Sequence, residues 1–371
     1  MAHTYTPGLR VTADTIIRKE RRLPIAGDVL LQEGAAVKAT DIVAKAQLPG
    51  NVATVNVVNL LGIAAEEIDT FMLKKVGDVV AVGDEIAATE PFIKWFRSVA
   101  AAPVAGTVET VSKITGQVII RTAPRPVDLK GYIAGTVVAV RENEGLTIET
   151  SCAFIQGILG IGGEVHGQIA MIGSGRDTVV TPADITDDLA GKVGVVGSRV
   201  SSDVYQRASE VGVTALICGG FNDVDLRNLL GRDLGVAITG HEDVSPILIL
   251  TEGFGNIPMA EATYALLSAH AGQMASASGA TQIRAGVMRP EIIIPKPAAA
   301  SAKAVESLGL CEGARVRIIR EPLFGALGKV KSLPTALESL ESEVKVRVAE
   351  ITCDNGQTVA IPRANIEAIE S

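Results

Sequence analysis

The sequence has few aromatic residues, no long apolar run and no excess of basic charge. Aromatic side chains make up only 3% of its 371 residues, so a local cluster of them is informative. No window of about 18 uninterrupted apolar residues is present to span a bilayer, and the first residues do not lead from a basic region into an apolar stretch. We therefore expect a cytoplasmic protein without a transmembrane segment.

The cysteines are few and far apart in the chain. They are Cys152, Cys218, Cys311 and Cys353, and no CxxC pair occurs among them. Zinc sites and disulfide frameworks need closer spacing than this. The spacing predicts no metal site and favours a reducing compartment.

The charge and hydropathy of the chain limit its partners. The net charge of −8 gives the whole chain no general attraction for the phosphate backbone of a nucleic acid, so any RNA contact has to be local. The mean hydropathy of +0.32 is high for a soluble chain. So many apolar side chains favour burial between subunits, which predicts a homo-oligomer.

A short segment occurs twice in the first 155 residues and once more in a looser form. Pro103–Val108 reads PVAGTV and Tyr132–Val137 reads YIAGTV, each with a glycine eight residues further on, and Leu48–Val52 reads LPGNV. Two glycine turns enclosing alternating valine and threonine predict a β-hairpin that stacks on its copies. We therefore predict a β-rich domain over residues 1–155.

Two ribbons that begin with Gly-Asp accompany these repeats, within Ala26–Val37 and Val76–Ile86. Their order, ending in the first repeat, resembles the barrel-sandwich hybrid, or biotinyl/lipoyl-like, domain. In carrier members of that family a hairpin presents the lysine that takes the cofactor, and Lys94 lies at nearly that place. Its neighbours Ile93 and Trp95 differ from those of the carriers, so we expect no attached cofactor.

The same hairpin tip concentrates the scarce aromatic residues. Phe92, Trp95 and Phe96 lie beside Lys94 and Arg97. Aromatic side chains at a tip favour insertion into a protein partner or into the interfacial layer of a membrane. The alternative is that they fold back as core under the adjacent domain.

Residues 156–296 alternate short apolar strands with helical periodicity. The strands begin near Val193, Thr214 and Pro246, and each leads into an amphipathic segment. Strands that are apolar throughout and alternate with helices form a sheet covered on both faces. The pattern predicts a central, open and mostly parallel α/β sheet.

Such sheets bind ligands at the carboxyl ends of their strands. The segments that follow these strands are rich in glycine and polar residues. The candidate ligand-binding residues are Ser198, Arg199, Gly219, Gly220, Asn222, Asp223, His241, Glu242, Glu252 and Arg284. If they converge, they suit a small anionic or polar ligand. Tight turns and helix N-caps explain the same residues without a ligand, and no phosphate-binding or nucleophile-elbow motif occurs.

A tract of proline and alanine predicts a linker over residues 297–312. Beyond it, 313–330 alternates apolar and basic residues, and strand patterns with an Asn-Gly turn complete a small barrel. This stretch is similar to the KOW motif, which implies an SH3-like barrel over 313–371 that binds RNA, RNA polymerase or ribosomal proteins. Arg315, Arg317 and Arg320 are its candidate contact residues. Eight basic and eight acidic residues from Gly313 onward do not favour RNA.

The fold class predicted is multidomain β and α/β: a barrel-sandwich hybrid, an α/β domain and an SH3-like barrel. The function predicted is a non-catalytic scaffold or adaptor that self-assembles or docks protein partners through its β modules. Two alternatives stay open. One is an RNA-, ribosome- or RNA polymerase-associated protein. The other is a protein that binds, or acts as an enzyme on, a small anionic metabolite in the central cleft.

Overall fold

The computed structural model describes residues 9–90, 97–230, 244–281, 288–296, 312–318, 323, 326–334, 337–339 and 345–368. Over these residues the chain is mostly β, with a large mixed sheet and a curled half-barrel sheet. The β character predicted for both ends of the chain is therefore confirmed.

Over residues 9–90 and 97–156, the N-terminal module contains thirteen strands and two short α-helices. They are β1 (Val11–Arg22), β2 (Asp28–Val29), β3 (Ala36–Val37), β4 (Ile42–Leu48), β5 (Val52–Asn56), α1 (Val57–Leu61), α2 (Ile68–Phe71), β6 (Val79–Val80), β7 (Glu85–Ala88), β8 (Val99–Ala101), β9 (Gly106–Val111), β10 (Gln117–Arg121), β11 (Arg125–Lys130), β12 (Gly135–Arg141) and β13 (Gly145–Gln156).

The repeated segments form the predicted hairpins, because β9 pairs with β10 and β12 pairs with β13, both antiparallel. The glycine of each copy lies against a neighbouring backbone. A Cβ atom would stand 2.2 Å from a carbonyl oxygen at Gly106 and at Gly135, and 1.8 Å from one at Gly50. Only glycine permits this approach.

The copies do not all stack on one another. The looser copy, β5, pairs with β10 in a four-stranded sheet of order β5-β10-β9-β6. The β12–β13 hairpin instead belongs to the large sheet and packs into a separate apolar cluster, around Ile133 and Ile148. The prediction of direct stacking is therefore wrong for this copy. Its strand β13 is instead paired along its length with the long strand β1.

The central part alternates strands and helices as predicted. Its elements are β14 (Leu159–Ile161), β15 (Glu164–Ile172), β16 (Val193–Val200), α3 (Ser202–Val211), β17 (Ala215–Phe221), α4 (Asp223–Leu230), β18 (Ile247–Phe254), α5 (Glu261–Ala269), β19 (Met274–Ser278) and β20 (Glu291–Pro295). The strands β15, β16, β17 and β18 are parallel neighbours. One face is covered by α3, through Val204 and Ala208, and the other by α5, through Leu267.

The large sheet extends beyond these parallel strands and is mixed. Its order is β14-β18-β17-β16-β15-β19-β20-β13-β12-β3, with β1 paired to β13. One edge of β13 carries β1, whereas the other is divided between β12, opposite Gly145–Glu149, and β20, opposite Cys152–Gln156. The N-terminal module and the central strands therefore share one sheet, and a mostly parallel sheet describes only its middle.

The C-terminal part is an antiparallel six-stranded sheet. Its strands are β21 (Arg315–Ile318), β22 (Leu327–Ser332), β23 (Leu337–Ser339), β24 (Lys345–Cys353), β25 (Thr358–Pro362) and β26 (Ile366–Ala368). The predicted hairpin between β24 and β25 is present, and Gly356 has the positive φ of 86° that its turn requires.

None of the helices in the described ranges combines the length and the apolar character that crossing a bilayer requires.

Candidate functional site

The carboxyl ends of β16, β17 and β18 lie side by side, as expected for parallel strands. Arg199 is opposite Gly220 across β16 and β17, and Gly220 is opposite Gly253 across β17 and β18. Ser198 is buried in β16, and Glu252 is buried near the end of β18. The structure thus brings Ser198, Arg199, Gly219, Gly220 and Glu252 onto adjacent strand ends.

The remaining candidates follow these strands or lie outside the described residues. Asn222 comes directly after β17, and its side-chain oxygen accepts a hydrogen bond from the Val224 amide at 2.9 Å, which is a helix-capping contact. Asp223 is the first residue of α4. His241, Glu242 and Arg284 lie outside the described residues.

A segment that we call the covering segment, residues 255–260, folds back over the strand ends. The Gly255 amide donates to the Phe221 carbonyl at 2.9 Å, and the Met259 amide donates to the Gly197 carbonyl at 2.6 Å. A Cβ atom on Gly219 would lie 2.2 Å from the Ile257 carbonyl oxygen. Backbone of the covering segment therefore lies directly against Gly197 and Gly219, at the strand ends where a ligand was predicted.

Glu252 connects this edge to the C-terminal sheet. One carboxylate oxygen accepts a hydrogen bond from the Ala260 amide at 2.9 Å, and the other accepts one from Nη1 of Arg317 on β21. Both side chains are almost excluded from water, since each residue is only 8% exposed. The predicted ligand-binding carboxylate and the predicted partner-contact arginine are therefore partners of each other.

Arg315, two residues before Arg317 in the C-terminal sheet, is also paired with a carboxylate. Arg315 donates from both terminal nitrogens to the two oxygens of Asp354, at 2.6 and 2.7 Å. Arg320 lies outside the described residues. A phosphate that approached Arg315 or Arg317 would have to displace a carboxylate, which weakens the electrostatic attraction on which RNA binding depends.

The aromatic tip predicted as a contact surface, with Phe92, Lys94, Trp95 and Phe96, lies outside the described residues. The arms of its hairpin are present, because β7 pairs with β8 in antiparallel register. Arg97 donates to both oxygens of Glu85, at 2.9 and 2.5 Å. This hydrogen bonding lowers the pKa of the Glu85 carboxyl group.

Sequence reasoning missed an exposed apolar surface near this hairpin. Val76, Val79 and Val82 are 60%, 76% and 69% exposed, and we call them the valine patch. They flank two Gly-Asp turns, in which the Asp78 and Asp84 side chains accept hydrogen bonds from the backbone at 2.7 and 2.9 Å. The signal in the sequence was a valine on each side of Gly77-Asp78, with another before Gly83.

The buried thiols give a prediction about reactivity. Cys218, in β17, and Cys152, in β13, are fully buried, and burial raises the pKa of each thiol to about 12. Because the thiolate is the reactive form, we expect neither to react with iodoacetamide in the native protein at neutral pH. Both should react after unfolding in urea, as read by peptide mass mapping. Rapid labelling of Cys218 in the native state would contradict this burial.

Among the residues that the structure describes, no group of three or more histidine, cysteine or acidic side chains is arranged to hold a metal ion. A scan against protein-family models finds no match, and a search of curated proteins finds none either. A functional proposal for this chain therefore starts from its geometry.

Proposed function

We propose that the chain is a non-catalytic cytoplasmic scaffold or adaptor in which a central sheet carries two β modules and copies associate through the N-terminal one. The observation that carries this proposal is the contact of the covering segment with the carboxyl ends of the parallel strands. The covering segment and the buried pair of Glu252 with Arg317 occupy the place where an α/β sheet binds its ligand. In this proposal the edge serves to attach the C-terminal sheet of the same chain.

We also propose that the chain contains the two domain types that its sequence resembles. The two Gly-Asp turns and the paired hairpins support a barrel-sandwich hybrid at the N-terminus. The β21–β22 pair and the Asn-Gly hairpin support a KOW-type SH3-like barrel at the C-terminus. The carboxylates that engage Arg315 and Arg317 favour protein over RNA as the partner of that barrel.

The surface proposed for self-association is the valine patch, and its occupant is a second copy of the chain. Large exposed apolar side chains grouped within seven residues favour burial. The charges around the patch are balanced, with Lys74 and Lys75 beside Asp78 and Asp84. A two-fold interface brings the same surface together with itself, so a balanced set of charges can pair across it.

The mass of the particle in solution tests this proposal. We expect light scattering and native mass spectrometry to show an oligomer, and the triple variant Val76→Ser, Val79→Ser, Val82→Ser to show a monomer. Three valines lost from an interface remove enough apolar burial to weaken association by at least about a hundredfold.

The matched control is Val179→Ser, which changes a valine that is 72% exposed in the central part of the chain. This variant should keep the mass of the wild type. A wild-type protein that is monomeric at all accessible concentrations would overturn the proposal, as would a triple variant with unchanged mass and an unchanged melting temperature.

A further inference from the structure

A second feature of the molecule, separate from the proposed docking surfaces, is a cavity of about 600 Å³ where the N-terminal module joins the central strands. Its walls come from β1, from Tyr132 between β11 and β12, from the start of β15 and from the segments next to β19 and β20. We call it the junction cavity. Its volume lies in the range typical of small-molecule sites.

The lysine of β1 is fixed in this cavity. The Lys19 ammonium lies 2.5 and 2.6 Å from the two carboxylate oxygens of Glu291. The Tyr132 hydroxyl donates to the same carboxylate at 3.1 Å. Burial raises the pKa of the Tyr132 hydroxyl well above its ordinary value, so the group acts as a neutral donor. These contacts use two of the three ammonium donors of Lys19.

The arginine two residues further along β1 lies on the same face of the strand. Arg21 donates from both terminal nitrogens to the two oxygens of Glu164, at 2.6 and 2.8 Å. Its Nε atom donates to the Lys130 carbonyl at 2.9 Å. These three bonds leave two of its five N–H groups for a further acceptor.

Donors of Lys19 and Arg21 therefore remain for a further acceptor in the cavity. Every carboxylate oxygen of Glu164 and Glu291 already accepts a hydrogen bond. The third carboxylate of the lining, Glu20, is paired with Arg22 and Arg141 at 3.2 and 2.7 Å, and neither of these lines the cavity. A ligand that brings anionic oxygen atoms fits these remaining donors.

The other walls of the cavity are apolar. The Tyr132 ring lies under the Arg21 guanidinium, 5.4 Å from its centroid, and Ala280 and Met288 also line the space. Tyr132 has a φ of 68°, a left-handed value that favours glycine, and the Ser276 hydroxyl holds its carbonyl at 2.5 Å. Strained residues held in this way occur preferentially at ligand sites.

We propose that the junction cavity binds a small carboxylic acid with an apolar body. The free donors of Lys19 and Arg21 hold the carboxylate. The body lies against the Tyr132 ring and the side chains of Ala280 and Met288.

Binding of hexanoate and phenylpropionate, measured by calorimetry and thermal shift on the full chain, tests this proposal. Their neutral amides and inorganic phosphate serve as comparison probes. We expect the carboxylates to bind and the amides and phosphate not to, because the cavity offers charge-assisted donors beside an apolar wall. Equal binding of acid and amide, binding of phosphate alone, or no binding of either acid at millimolar concentration would overturn the proposal.

Variants locate the site. Lys19→Gln removes the charged donor and should weaken binding by about tenfold. Ala280→Phe fills the apolar end with the charges intact and should abolish binding. The control, Arg18→Gln, changes an exposed residue of β1 that pairs with Glu149 at 2.7 Å and should bind as the wild type does. Unchanged affinity in both Lys19→Gln and Ala280→Phe, with melting temperatures of the wild type, would also overturn the proposal.

Discussion

Exchanging Glu252 for glutamine, or Arg317 for methionine, is expected to lower the free energy of unfolding by about 3 kcal/mol in either case. Each change removes one member of an ion pair from which water is almost excluded and leaves the other charge buried without this counter-charge. Glutamine keeps an oxygen that accepts the Ala260 amide, so the Glu252→Gln variant isolates the loss of charge. Urea denaturation gives the measurement.

The double variant Glu252→Gln, Arg317→Met removes both charges at once. We expect it to be less destabilised than the sum of the two single changes, with a coupling of at least about 1 kcal/mol. Arg315→Met is the matched control, because its partner Asp354 is half exposed. An exposed pair contributes about 1 kcal/mol or less. Strict additivity of the two buried substitutions would show that the C-terminal sheet does not dock through this contact.

Substituting Gly219 by alanine is expected to destabilise the protein by about 3 kcal/mol, because the interior there has no room for a methyl group. The added Cβ atom would meet the Ile257 carbonyl oxygen at 2.2 Å and the Met259 amide nitrogen at 2.7 Å. Both are backbone atoms, so the covering segment has to move away from the strand ends. Thermal unfolding and limited proteolysis of residues 255–260 measure the two effects.

The control for this substitution is Gly175→Ala. Among the described residues, a Cβ there has one atom within 4 Å, the Thr178 hydroxyl oxygen at 3.7 Å, which is an ordinary contact. This variant should change the free energy of unfolding by less than about 0.5 kcal/mol. If Gly219→Ala proved equally mild and its proteolysis were unchanged, the covering segment would not be held against β17.

Local patterns predicted the parts of the fold that local interactions decide. The hairpins of the repeats follow from glycine turns and alternating valine and threonine. The order of β16, α3 and β17 follows from a change of hydrophobic period, and Ser201 caps α3 as its residue type suggests. Each of these signals lies within about a dozen residues of the structure it specifies.

The contacts of the strand ends of β17 and β18 could not be predicted in the same way. The sequence identified the glycines after the strands, but the same residue type accommodates either a ligand or another backbone. What lies against Gly219 is decided by residues 255–260, and what pairs with Glu252 lies 65 residues away at Arg317. Contacts between residues so far apart in the chain leave no periodic pattern in the sequence.

The junction cavity was missed for a related reason. Charged residues of its lining such as Lys19, Glu164 and Glu291 are spread over most of the chain. They come together only because β1, β15 and β20 meet there. One signal was present. The second repeat has Tyr132 where the first has Pro103, and this departure marks the residue with the unusual backbone conformation.

The strand β13 has a consequence for how ligands enter this protein. Because it is hydrogen-bonded to β1 on one side and to β12 and β20 on the other, the described residues of the two larger parts of the chain are joined through one continuous sheet. Walls contributed from both parts therefore keep a fixed spacing whether or not an acid is bound. If the junction cavity binds an acid as proposed, we expect lock-and-key recognition in a preorganised site, with little loss of conformational entropy on association.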